Sequence, residues 1–433
     1  MSSSDVLQEL NQLKNENERL RVAVEELSVL NEIATAISST LDLNRLIELI
    51  VQKCVKHLKV DQGAIWLLEE KDEATPLKTM VRQVNSAADR LPYRLDTQLT
   101  GWMIKNQQPL VVQDLATDER FQIMKNEDTY IRSLLAVPLQ QKGKMIGVLT
   151  VFNKHGAENF LDHDRRLLTI IGAQSAQVIE SARLYLEEQE YQKMQQEMNL
   201  ARNIQMNLLP KDMPLMTGYD AYGISVPAQE VGGDYYDFIS RDENCFIFCL
   251  GDVSGKGMPA ALLMANLQAT LRGTSMVCKS ALDCLKRSNG LLYHSTDQEK
   301  YATIFYGVLD TKNHQLSFAN AGHNHPFLVS RDGSFKRLEA IGIPLGWMED
   351  FEYTEEVVPF IKGDVLVTFS DGISEAMNER EEEFKEEKIL EAIRENLDIS
   401  PKELTDKLLR LVQAHTGNAA QTDDMTLVVI KRL

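Results

Sequence analysis

Five acidic residues in the second half of this 433-residue chain stand where divalent-cation chemistry could be done. Asp252 lies in Gly251-Asp252-Val253-Ser254-Gly255-Lys256-Gly257, directly after Cys245–Leu250. That apolar run is of strand length and reads as a buried strand. Asp371, in Ser370-Asp371-Gly372, ends a second apolar run, Val365–Phe369, and Asp423 and Asp424 open a third, Met425–Ile430. Asp234 sits in Gly232-Gly233-Asp234-Tyr235-Tyr236-Asp237. Strand-end acids and a Gly-Gly-Asp turn could converge on one edge of a sheet. Clustered carboxylates repel unless a cation neutralises them, and oxygen-only ligands select Mg²⁺ or Mn²⁺. The competing reading makes each Asp a turn or cap residue. A nucleotide P-loop is excluded at Asp252, because Lys256 stands where that pattern needs its second glycine.

The elements that must hold these residues follow from the same pattern. Pro259 starts a helix reaching about Thr274, and further helices are expected at Ala281–His294, Glu386–Asn396 and Pro401–His415. Strands are expected at Ala302–Leu309, Leu316–Asn320 and Phe327–Ser330 besides the three apolar runs. Strands with separate helix pairs predict helices layered over sheets across 211–433. The net charge of −18 argues against nucleic-acid and anionic-membrane binding. The five cysteines lack paired metal spacing, no leader opens the chain, and no apolar run reaches about 18 residues. A cytoplasmic, reduced, soluble protein is the expectation.

Residues 1–27 carry a heptad. Val6, Leu13, Leu20 and Leu27 share one position and Leu10, Asn17, Val24 and Asn31 the other. Asn at alternate a positions fixes register and favours a two-stranded parallel coil, hence a homodimer; a single amphipathic helix lying on its own domain is the alternative. The polar stretch 184–210 reads as a helical connector with a weaker heptad through Leu184, Tyr191, Met198 and Gln205, and through Glu187, Met194, Ala201 and Leu208. It has no glycine, and its one proline, Pro210, ends it.

Residues 28–183 order as helix, strands, a short helix and a hairpin turning at Lys142-Gly143-Lys144, then a helix from Asp162. With Gly101-Trp102, Val112-Gln113-Asp114, Ala136-Val137-Pro138-Leu139 and Ile146-Gly147-Val148-Leu149, this segment resembles a GAF sensory domain. Cyclic-nucleotide-binding members carry Asn-Lys and Phe-x-x-x-Asp-Glu; here Asn153-Lys154, Phe160 and Asp164 are present, but Arg165 replaces the Glu. These residues either bind such a ligand or tie the last strand to the last helix. The GAF ligand is unknown.

The C-terminal half resembles the SpoIIE/RsbU-like serine phosphatases. The resemblance rests on Ala201-Arg202-Asn203-Ile204-Gln205, Leu208-Leu209-Pro210, Ala321-Gly322-His323-Asn324 and the four acidic motifs, in order. It implies the metal-dependent type 2C phosphatase fold, an αββα sandwich with two Mn²⁺ or Mg²⁺ ions. It further implies that Asp252 bridges the ions, that the Val253 carbonyl binds one, and that Asp234, Asp371 and Asp423 complete the shell. Asp424 competes with Asp423 for that place. Ser254 stands where eukaryotic relatives have a candidate acid His, and the phosphate-gripping residue is not identified. His323 is expected to be structural, and Lys256 is either a solvated loop lysine or an aid to phosphate binding. Two functions follow. One is a GAF-gated phosphoserine/phosphothreonine phosphatase acting on a partner-switching regulator such as an anti-sigma-factor antagonist (STAS) protein. The other is a non-catalytic dimeric sensor that binds a phosphoprotein.

Overall fold

In the computed structural model of the chain, the residues described are 42–68, 77–84, 93–124, 131–297 and 299–433, with scattered helical positions between 12 and 31. The coil expected over 1–27 lies largely outside the described residues. Leu13, Leu20, Val24 and Leu27, which are described, are helical and more than half exposed. The chain divides into two units, one ending at Gln192 and the next beginning at Lys193. Among the described residues no helix is long and apolar enough to cross a membrane.

In the first unit, strands β1 (Val60–Leu68), β2 (Leu77–Val84), β3 (Leu110–Val112), β4 (Leu134–Gln141) and β5 (Lys144–Lys154) form one antiparallel sheet in the order β2-β1-β5-β4-β3. Central β5 is buried on both faces, which explains its unbroken apolar run. One face carries Leu135, Val137, Leu149 and Val151 against the helix Leu43–Leu58 and residues such as Leu168 and Ile171 of the helix that starts at Asp162. The other carries Ala64, Trp66 and Phe152 against Leu99 and Met103 of the helix Tyr93–Asn106. Asp42 caps the first helix by accepting from Asn44 and Arg45 N–H. At Gly147 a side chain would lie 2.3 Å from the Trp66 carbonyl, so β1 and β5 approach only over a glycine. The closing helix and the connector are one helix, Asp162–Met206.

The second unit contains two five-stranded antiparallel sheets. The first has the order β13-β10-β9-β8-β7: β13 (Glu356–Pro359), β10 (Gln315–Ala321), β9 (Ala302–Asp310), β8 (Cys245–Val253) and β7 (Tyr235–Ser240). The second has the order β12-β11-β14-β15-β6: β12 (Phe335–Arg337), β11 (Phe327–Val329), β14 (Val365–Phe369), β15 (Met425–Arg432) and β6 (Tyr219–Val226). Alternate residues of β15 show why its sequence has no polar face. Val428 and Ile430 join Phe248, Phe305 and Phe318 in the core between the sheets. Leu427 and Val429 instead face Ile389, Leu404 and Leu408 of the helices Glu386–Arg394 and Pro401–Thr416. Helices Met258–Ser275 and Ala281–Ser295 cover the first sheet through Leu263, Leu267 and Leu285. Helix over sheet over sheet over helix is the layering expected. Ser400 and Glu403 form a reciprocal capping box behind Pro401.

Candidate active site

The acids come from both sheets, not from one edge of one sheet as the apolar runs alone suggest. In the first, Tyr235 pairs with Gly251, so the start of β7 and the end of β8 bring Asp234 beside Asp252. In the second, Phe369 pairs with Leu427, and the same end of the sandwich receives Asp371, Asp423 and Asp424. Asp371 opens the short helix Asp371–Ser374 directly after β14.

Asp424 joins the two halves. Its Oδ2 accepts from the backbone N–H of Gly233 at 2.6 Å and Asp234 at 3.2 Å, and its Oδ1 accepts from Ala228 N–H at 2.8 Å. A Cβ at Gly232 would meet Asp424 Oδ2 at 2.3 Å, so the turn needs its first glycine to come so close. Behind the turn, the Gln205 carboxamide donates to the Gly232 carbonyl at 2.6 Å and accepts from Gly232 N–H at 3.0 Å. In the sequence Gln205 is a motif residue and a weak heptad position, and neither marks it as a partner of the Gly-Gly-Asp turn. The structure also corrects the connector heptad at its end, because Gln205 is buried and Leu208 packs on the core of its own unit.

Asp423 has different surroundings. It is half-exposed and paired with Lys256, whose Nζ lies 3.0 Å from its Oδ2 and donates to the Thr422 carbonyl at 2.7 Å. Lys256 is thus a tie between two loops, not a free solvated lysine. Under Asp252, the Thr303 hydroxyl lies 3.3 Å from both the Asp252 N–H and carbonyl and 3.1 Å from His323 Nδ1. Burial pushes His323 down to about 3, so it is neutral and positions Thr303, consistent with the structural role expected of it. Ser254 is held by the Tyr301 backbone, accepting its N–H at 3.1 Å and donating its own N–H to its carbonyl at 2.9 Å. Asp237 stands apart from the site. It is fully buried and takes a two-pronged contact from Arg272, at 2.6 and 2.9 Å.

The electrostatics report crowding of like charge. Burial, and then Asp371, Asp423 and Asp424, push Asp252 up to about 7. Burial and Asp252 hold Asp234 well above the usual carboxylate range, against the pull of the Thr426 and Ser370 hydroxyls. Asp371 is raised by burial and Asp423, and Glu375 by burial and Asp371. Among the described residues no three such side chains already close into a finished cage for an ion. The donor set nevertheless fits hard cations. Asp234 Oδ2 is buried without a hydrogen-bond partner. The space beside Gly233 is faced by Asp252 Oδ1 at 3.1 Å and the Val253 carbonyl at 3.2 Å from where a Cβ would lie. All of these donors are oxygens, as Mg²⁺ and Mn²⁺ require.

In the first unit, the Asn-Lys and Phe-x-x-x-Asp residues tie strand to helix. Lys154 Nζ contacts Asp164 Oδ1 at 2.6 Å, with Asp164 buried and Lys154 largely so, and Asp164 Oδ2 accepts from Leu161 N–H. Asn153 Oδ1 accepts from Arg132 N–H at 2.7 Å, and Gln113 bonds both backbone groups of Phe160.

Helices over two sheets with a rim of acids at one end make up the PP2C fold, and the solved PP2C domain of SiaA from Pseudomonas aeruginosa shares it. It superposes with a TM-score of 0.51 at 19% identity, covering 56% of this chain and 98% of that one. The family model for stage II sporulation protein E matches residues 242–433, and that for the GAF domain matches 40–180. Phosphoserine phosphatase RsbU of Bacillus subtilis (strain 168) is 34% identical over 249 residues, covering 56% of this chain and 71% of RsbU. Phosphoserine phosphatase RsbP of the same organism is 26% identical over 185 residues, 41% of this chain and 45% of its own length. The chain therefore belongs to the SpoIIE/RsbU family of serine phosphatases and carries a GAF domain.

Proposed function

We propose that this chain hydrolyses phosphoserine or phosphothreonine on a partner-switching regulator of the STAS type, using two Mn²⁺ or Mg²⁺ ions, and that its GAF domain gates the reaction. The observation that carries the proposal is the crowding of carboxylates on Asp252, by Asp371 and Asp423 from one sheet and beside Asp234 from its own, with one Asp234 oxygen buried and unpartnered. Asp234, Asp252, the Val253 carbonyl, Asp371 and Asp423 would hold the ions. Asp424 is assigned to the frame, since its two oxygens already serve three backbone N–H groups. Bound ions of this kind lower the pKa of a water and draw charge from a phosphoryl oxygen. The chain's own part is to hold charge-repelling carboxylates at fixed positions. Asp424 sets the Gly233–Asp234 backbone, Thr303 and His323 fix the Asp252 backbone, and Lys256 restrains the Thr422–Asp423 loop. No cysteine is needed as a nucleophile, and burial raises the Cys54, Cys249 and Cys278 thiols.

The expected homodimer has support in the connector. Leu184, Tyr191 and Met194 are all more than half exposed along one side of a single helix, an arrangement that a second copy would bury. The relatives support the class of substrate, RsbU and RsbP being phosphoserine phosphatases; the protein is expected to act in the cytoplasm. Mn²⁺-dependent phosphate release from p-nitrophenyl phosphate and from a phosphoserine STAS protein tests the proposal. Binding of the phosphoprotein without turnover would favour the sensor reading, and abolition of turnover in Asp252→Asn with the fold intact would support hydrolysis.

A further inference from the structure

The structure assigns Gln205 a task that sequence left blank: we infer that it is a positioning residue for the cation site, clamping the Gly232–Asp234 turn to the end of the long helix. The inference rests on the two-ion reading above and deepens it. Gln205 is buried, at 7% exposure, in a helix otherwise exposed over most of its last three turns. Its carboxamide spends both of its polar ends on one residue, Gly232, at 2.6 and 3.0 Å. Gly232 is followed by Gly233, whose space is faced by Asp252 and the Val253 carbonyl, and then by Asp234 with its unpartnered oxygen. Two side chains therefore fix this turn. Asp424 holds it from the second sheet and Gln205 holds it from the helix.

The two restraints differ in what they are attached to. Asp424 belongs to the β15 frame, whereas Gln205 belongs to the helix Asp162–Met206, which begins in the first unit. A turn of that helix about its axis withdraws the carboxamide from Gly232 and frees the backbone that presents Asp234. Leu209, buried three residues past the helix end, anchors the chain there, so the motion is taken up within the last turn. Loss of the clamp should act on cation affinity first, because it changes the placement of a ligand and not its identity.

The test is titration of Mn²⁺ into metal-free full-length protein, followed by calorimetry, for wild type, Gln205→Met and the exposed-site control Asn203→Ala. Gln205→Met keeps the length and burial of the side chain and removes both hydrogen bonds. Its Mn²⁺ dissociation constant should rise roughly ten- to a hundred-fold, as expected for loss of a partner that orients a ligand. Turnover at saturating Mn²⁺ should recover towards wild type, and Asn203→Ala should match wild type throughout. An unchanged Mn²⁺ affinity in folded Gln205→Met would overturn the clamp while leaving the metal reading intact. Failure of wild type itself to bind Mn²⁺ would overturn both. Linkage supplies a measurement that needs no variant: Mn²⁺ should slow hydrogen exchange at the Gly232 N–H, since each restraint favours the other. Unchanged exchange in wild type that has bound Mn²⁺ would also overturn the clamp.

Discussion

Asp423 and Asp424 are adjacent and identical, yet their substitution should have opposite signatures. Asn in place of Asp424 keeps the shape and one acceptor oxygen but puts an NH₂ group where the other oxygen stood. Facing one way, it confronts the Gly233 and Asp234 N–H groups; facing the other, it confronts Ala228 N–H. At least one buried donor loses a charged acceptor, and such a bond contributes about 1.5–3 kcal/mol. Relief of repulsion offsets a part, because Asp424 is among the charges that raise Asp234 and Asp252. A net loss of about 1–2 kcal/mol follows from those two contributions. In a domain of this size each kcal/mol moves the melting temperature by about 2–4 °C, giving a fall of roughly 2–8 °C.

Asp423→Asn should barely move it. Asp423 is half-exposed and its pairing with Lys256 is a surface pair, of the kind that contributes about 0–1 kcal/mol. The Asp424 N–H bond to Asp423 Oδ1, at 2.9 Å, survives as a bond to the Asn oxygen. Scanning calorimetry of EDTA-treated protein at neutral pH reads the stability, and Mn²⁺ titration reads the site. Asp424→Asn should melt early, and Asp423→Asn should melt normally and bind Mn²⁺ poorly. An unshifted Asp424→Asn beside a strongly destabilised Asp423→Asn would refute the division of labour.

Further outcomes follow from the same geometry. Asp252 carries a folded-state pKa of about 7 against the usual 3.8, so the folded protein keeps a proton that the unfolded chain loses. The contribution of Asp252 to metal-free stability should therefore be full below about pH 4 and be lost as pH rises through about 7; Asp252→Asn should remove that component of the pH profile, and an unchanged profile would dispose of the crowding argument. Arg272→Met strands the buried Asp237 charge. Breaking a buried pair costs about 3–5 kcal/mol, and the half-exposed guanidinium reduces this to about 2–3 kcal/mol, read as an early-melting second domain. Lys154→Met should destabilise the GAF domain in the same way by stranding Asp164, while millimolar cyclic nucleotide should leave the wild-type melt unmoved. A one-residue insertion between Glu190 and Tyr191 turns the helix downstream by about 100° and should change basal turnover; a seven-residue insertion, with about 20° of drift, should preserve regulation.

What the sequence makes legible here depends on whether one residue's context is enough. Asp252, Asp371 and Asp423 are visible because each abuts an uninterrupted apolar run, and such runs arise only where a strand is covered on both faces. β6 escapes because Tyr219–Val226 mixes Asp220, Gly223 and Ser225 into a strand that lies at a sheet edge. β7 escapes because Tyr235–Ser240 hides Asp237 among its aromatics, an acid whose charge is met by Arg272 on a helix 35 residues away. Which acid shares a sheet with which is equally hidden, since it is set by strand pairing and not by spacing.

The heptad shows the reverse failure, a periodic signal running past its physical cause. Leu184, Tyr191 and Met194 are exposed, as a coil awaiting a partner requires, but the same repeat extended to Gln205 and Leu208 meets residues already used within their own domain. A repeat of seven records only that one face of a helix is distinctive. It does not record whether the face meets a second helix or a glycine backbone. At Gln205 the two uses lie on one continuous helix, so a rotation tolerated by an exposed seam is not tolerated by the carboxamide at its end. What distinguishes the end of this helix from its exposed seam is therefore a pair of hydrogen bonds to Gly232.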